Sequence, residues 1–125
     1  MLAKYLITSI ATLFAASVVM AHEMEKGANG GQVVDSKGHH IEFVTKDGAI
    51  TFFLTDDKDK PISSKGASGR VLIQDAGAAA AVDLAPAEPN LLTAKTTATL
   101  TPGAKLVVSA KLSDGHDIQG RFVTK

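Results

Sequence analysis

The sequence contains no cysteine. That absence excludes a disulfide framework, a thiolate metal site and a cysteine nucleophile. The chain also lacks an excess of either charge, because 13 Lys and Arg residues balance 13 Asp and Glu residues. Without a basic surface, a protein has little attraction for nucleic acid or for an anionic membrane. We therefore expect neither of them as a partner.

The familiar motifs of catalysis are missing as well. The chain has no Gly-x-Ser-x-Gly elbow, no His-Glu-x-x-His motif and no phosphate-binding loop. Serine, histidine and aspartate are all present, but no spacing in the sequence forces them together. We predict that this protein is not an enzyme.

The first residues have the pattern of a secretory signal peptide. Lys4 precedes an apolar run from Leu6 to Val19, and the stretch up to Ala21 offers residues that a signal peptidase accepts. The run includes hydroxyl residues and is shorter than the ~20 apolar residues that a transmembrane helix needs. We predict a signal peptide over residues 1–21, cleavage near Ala21, and export to the periplasm without membrane insertion of the mature chain.

The remaining chain divides into a short arm and one domain. Residues 22–30 have no apolar periodicity and are rich in glycine, so we predict a flexible N-terminal arm. In residues 31–125 the apolar residues recur with period two, and turn signals separate short runs. This pattern predicts an all-β domain, an antiparallel β-sandwich of the immunoglobulin-like type with about seven strands.

The strongest local signal is a hairpin at Asp47-Gly48. A two-residue turn there places Phe43 opposite Phe52. The same register opposes two further pairs, Thr45 with Ile50 and Ile41 with Leu54. Since opposed residues point to the same side of a sheet, all three pairs build one apolar face.

A second hairpin is predicted near the end of the sequence. A three-residue loop, Asp114-Gly115-His116, opposes Leu112 to Ile118. Such loops are common where glycine supplies a positive φ. We expect His116 to lie at the tip of this hairpin, in solvent.

Metal binding is the chemistry that the histidines favour. The hairpin register puts His40 on the same face as Glu42, two residues further along the strand. Side chains so placed are roughly 7 Å apart and can share an ion. His39 points to the other side, toward Asp56. We predict a site of His40 and Glu42, joined by His39 if the strand begins late; the alternative is a histidine pair that simply faces solvent.

A second candidate site lies in the arm. Cleavage after Ala21 would make His22 the N-terminal residue, whose amine and imidazole can chelate Cu²⁺. The thioether of Met24 suits Cu⁺. We predict that His22 and Met24 form a second site or complete the first, with copper as the expected metal and zinc as the alternative.

Several stretches resemble a known group of proteins. They are the Gly-Gly-x-Val sequence at Gly30, the His-x-Glu-Phe sequence at His40 and the Leu-Thr-Asp sequence at Leu54. In this respect the chain resembles small exported bacterial proteins that are similar to the N-terminal periplasmic portion of heavy-metal efflux adaptor proteins. The resemblance covers residues 30–123 and implies copper, silver or zinc handling, partnership with an efflux complex, and roles for His40 and Glu42. The arm departs from relatives with a histidine-rich leader, since it carries one histidine.

Two hypotheses follow for the function. The first is a periplasmic metal-binding accessory protein linked to heavy-metal handling. The alternative is a protein–protein interaction module of the cell envelope without a metal, which docks a partner through the sheet face around Thr51 and Phe53.

Overall fold

The protein is built from nine antiparallel strands in a computed structural model that describes residues 25–95 and 100–125. The described residues contain no helix, which confirms the predicted all-β fold. The structure has two strands more than the seven or so that the sequence predicts. The predicted signal peptide lies outside the described residues, as do His22 and Met24. The strands are β1 (Glu25–Lys26), β2 (Gln32–Ser36), β3 (His39–Lys46), β4 (Ala49–Asp56), β5 (Ser68–Asp75), β6 (Ala78–Ala87), β7 (Leu91–Lys95), β8 (Lys105–Lys111) and β9 (Asp117–Val123).

The strands form one sheet that folds back on itself into two layers. Their order is β1-β2-β3-β4-β7-β6-β5-β8-β9. Strand β6 belongs to both layers, because residues 78–84 pair with β5 and residues 85–87 pair with β7. The consecutive strands β5, β6 and β7 lie between β4 and β8, which is a Greek-key arrangement.

The sheet curls so that its last strand, β9, approaches β2, which the short edge strand β1 covers only at Gln32 and Val33. The Nε2 atom of Gln32 donates a hydrogen bond to the carbonyl of Val123 at 2.7 Å, and the backbone N–H of Gln119 donates to Oγ of Ser36 at 3.0 Å. Gly120 permits this approach, since a Cβ there would lie 2.7 Å from the nearest side-chain carbon of β2. These side-chain contacts leave the sheet nearly closed.

The hairpin of β3 and β4 has the predicted register. Phe43 lies opposite Phe52, and the turn residues Asp47 and Gly48 have φ angles of 53° and 76°. Both angles are in the left-handed region that this kind of two-residue turn requires. The ring of Phe122 joins those of the two opposed phenylalanines, with centroid separations of 5.4 to 5.7 Å. The three rings belong to the core between the layers.

The register predicted for the last hairpin is wrong by two residues. Ile118 lies opposite Ala110 rather than Leu112, and the loop between the paired residues spans 112–116. Leu112 leaves the ladder and is buried in the core, while its N–H donates to the carbonyl of His116 at 2.9 Å. A shift of two residues keeps the same side chains facing inward, because side chains alternate with period two.

Part of the segment predicted as a flexible arm is folded in the structure. Glu25 and Lys26 pair with β2, and residues 27–31 make a turn over the outer face of β3. This turn contacts Glu42, a candidate site residue.

Candidate metal centre

The start of β3 separates the two neighbouring histidines. His39 shares its side of the strand with the buried Ile41, at the end of the core, whereas His40 shares the outer side with Glu42. The observed register places His39 opposite Asp56, as the sequence predicts. Each histidine therefore meets a different set of neighbours.

His40 lies between two aspartates. Its Nδ1 atom is 3.0 Å from Oδ1 of Asp59, and its Nε2 atom is 3.7 Å from Oδ2 of Asp35. The two carboxylates approach opposite nitrogens of the ring. One ion cannot reach both of those nitrogens, so the three side chains in this arrangement do not form a single coordination sphere.

The carboxylate of Glu42 is held by the N-terminal turn. It accepts hydrogen bonds from the backbone N–H of Gly31 at 2.8 Å, from the backbone N–H of Asn29 at 2.9 Å and from Nδ2 of Asn29 at 3.0 Å. The residue is 7% exposed, and a Cβ at Gly27 would lie 2.2 Å from its carboxyl carbon. A shared ion between His40 and Glu42 stays a prediction, and it would require Glu42 to leave these donors.

His39 contacts His116, which comes from the loop between β8 and β9. The centroids of the two rings are 5.5 Å apart and the rings are tilted by 58°. The Nδ1 atom of His39 is buried and has no hydrogen-bond partner among the described residues. A buried polar atom without a partner is uncommon in a folded protein and calls for an explanation.

Asp114 orients the ring of His116. Its Oδ2 atom lies 2.8 Å from Nδ1 of His116, and its Oδ1 atom accepts the backbone N–H of the same residue at 2.9 Å. That backbone bond above all lowers the pKa of Asp114 below its usual 3.8, and the charges of His116 and His39 act in the same direction. Because an ionised carboxylate only accepts hydrogen bonds, it holds the proton of neutral His116 on Nδ1 and leaves the lone pair on Nε2.

The hydrogen bond between Gln119 and Ser36 joins the hairpin of β2 and β3 to the hairpin of β8 and β9. Ser36 lies opposite His39 in the ladder of β2 and β3, and Gln119 follows His116 by three positions. The bond thus lies next to the contact between the two imidazoles. It helps to set their separation.

Only part of this arrangement follows from the sequence. His39 was a predicted ligand, and His116 is exposed, as the sequence predicts, but its contact with His39 was missed. Asp114 precedes His116 by two positions, a spacing that suits a local side-chain-to-backbone bond and could have indicated its role. Residues 25–95 and 100–125 contain no group of three or more His, Asp or Glu side chains arranged to hold a metal.

No family model, curated protein or solved structure matches this chain. The resemblance to heavy-metal efflux adaptor proteins therefore stays a prediction. In the part of the chain that the structure describes, no helix is long and apolar enough to cross a membrane.

Proposed function

We propose that this chain is an exported, non-enzymatic metal-binding accessory protein of the bacterial periplasm, with copper as its cargo and zinc or silver as alternatives. The observation that supports it is the contact of two imidazoles, those of His39 and His116, from hairpins far apart in the sequence. Neutral imidazole is a good ligand for copper and zinc, and copper has the highest affinity of the divalent ions for nitrogen sites.

The position of the two histidines favours capture and transfer over storage. The side chain of His116 is 66% exposed, so an incoming ion can reach it from solvent. A site with few protein ligands leaves coordination positions open to water or to an acceptor protein. We propose that the acceptor belongs to a metal-efflux complex of the envelope, which is the partnership that the resemblance implies.

Metal titration of the exported protein tests this function. Isothermal calorimetry with Cu²⁺, Cu⁺, Ag⁺ and Zn²⁺ should give a dissociation constant below about 10 μM for copper. The double variant His39→Ala/His40→Ala should bind copper more weakly. If none of these ions binds in that range, metal handling is wrong and the alternative of a docking module around Thr51 and Phe53 takes its place.

A further inference from the structure

We infer that His39 and His116 together form a site for one copper ion, in which Asp114 positions the ring of His116. This inference deepens the proposed function and rests on it. According to this inference, the main binding site is a histidine pair at the end of the core and not the outer pair of His40 and Glu42.

The first argument is the distance between the rings. A bond from a metal to an imidazole nitrogen is ~2.0–2.1 Å long. Two rings with centroids 5.5 Å apart can therefore each direct one nitrogen to an ion between them after small rotations about their side-chain bonds. His40 differs, since its partners among the described residues are two carboxylates that approach opposite nitrogens of its ring.

The second argument is the state of the nitrogens. His39 has a buried Nδ1 atom without a partner among the described residues, and a bound ion would satisfy an atom of this kind. In His116 the Nδ1 atom is occupied by Asp114, so Nε2 is the nitrogen that can bind. A carboxylate behind a ligating histidine is the usual means by which proteins fix the ring and raise its basicity as a ligand.

The location of the site has a mechanical consequence. His39 begins β3 in one layer, whereas His116 lies in the loop that joins β8 to β9 in the other layer. The neighbouring edges of β2 and β9 are joined by two side-chain hydrogen bonds. An ion held by both histidines would connect the two layers next to these hydrogen bonds. Copper should therefore stabilise the folded sheet against unfolding.

The experiment compares single variants of the exported protein in copper titrations. His116→Gln and His39→Gln should each weaken Cu²⁺ binding by at least about tenfold, and the matched control His40→Gln should stay within about twofold of the wild type. Glutamine keeps a polar side chain of similar length. Far-ultraviolet circular dichroism and thermal unfolding without metal identify any variant that fails to fold.

Nuclear magnetic resonance supplies a readout that does not depend on variants. Substoichiometric Cu²⁺ should broaden the imidazole signals of His39 and His116 before those of His40. Imidazole ¹⁵N shifts should report the proton of neutral His116 on Nδ1, and Asp114→Asn should reduce that preference and weaken copper binding about tenfold, while Asp114→Glu should restore part of both.

The outcomes separate this inference from the proposed function. Copper binding that survives His116→Gln but is lost in His40→Gln, or that follows the N-terminal His22 alone, would overturn the His39–His116 site and leave metal binding in place. Failure of the wild type to bind copper, silver or zinc would overturn both. Equal ¹⁵N shifts for His116 in the wild type and in Asp114→Asn would remove the positioning role of Asp114.

Discussion

The imidazole of His116 lies against that of His39, with 5.5 Å between the ring centroids, although the two residues come from hairpins in different layers of the sandwich. A hydrogen bond from the N–H of Gln119 to Oγ of Ser36 joins the β2–β3 hairpin to the β8–β9 hairpin beside this contact. This relationship leads to predictions about both binding and stability.

Removing the hydroxyl of Ser36 should weaken copper binding without removing a ligand. In Ser36→Ala the N–H of Gln119 loses its acceptor, so the two hairpins are less firmly aligned. We expect about a tenfold loss of copper affinity by calorimetry, the lower end of the effect of residues that support metal ligands. Ser68→Ala, an exposed serine of β5, is the control. Unchanged affinity in Ser36→Ala would show that the strand ladders alone fix the histidines.

Replacing Glu42 by glutamine should destabilise the fold. Glutamine has one acceptor oxygen and an NH₂ group that would face the N–H donors of Asn29 and Gly31. The expected loss in the free energy of unfolding is about 1–3 kcal/mol, as for a buried group left without partners. Urea denaturation followed by circular dichroism measures it, and exposed Glu88→Gln is the control.

The same variant distinguishes two roles for Glu42. If copper affinity falls much further in Glu42→Gln than in His116→Gln, the carboxylate is a ligand, contrary to the site inferred above. If only stability falls, Glu42 serves to hold the N-terminal turn on β3.

Adding a methyl group at Gly120 should push β9 away from β2 and destabilise the fold. A Cβ there would lie 2.7 Å from Cγ2 of Val34 and 3.2 Å from the ring of Phe122. We expect Gly120→Ala to lower the free energy of unfolding by about 1–3 kcal/mol, which is typical of overpacking in a core. Adding Val34→Ala should recover part of this loss, and a double-mutant cycle measures the coupling. Strictly additive effects would argue against the close contact.

Acid should weaken the link between Asp75 and Thr101. The hydroxyl of Thr101, followed by its backbone N–H, holds the pKa of Asp75 below the usual 3.8. A carboxylate with a lowered pKa in the folded state stabilises the fold above pH 3.8, and this contribution is lost as the pH falls through the folded-state pKa. Thermal unfolding from pH 6 to pH 2 should therefore show a smaller decrease for Asp75→Asn than for the wild type. Exposed Asp57→Asn should follow the wild type.

The sequence by itself determined the class of fold and much of its local pairing. Period-two patterning fixed which side chains face inward, and Asp47-Gly48 fixed the register of β3 and β4, because a short turn leaves few ways to align its flanking strands. The same register also separated His39 from His40. The register of the last hairpin was harder to predict, because Leu112 is buried although it lies outside the ladder.

The tertiary structure decided which of the candidate groups lie together. The order of the strands brings β9 beside β2, and only then does His116 reach His39. The turn of residues 27–31 likewise binds the carboxylate of Glu42, which the strand pattern had placed beside His40. Local periodicity reports the side of a strand on which a residue lies, whereas contacts between distant hairpins depend on how the whole sheet folds back on itself.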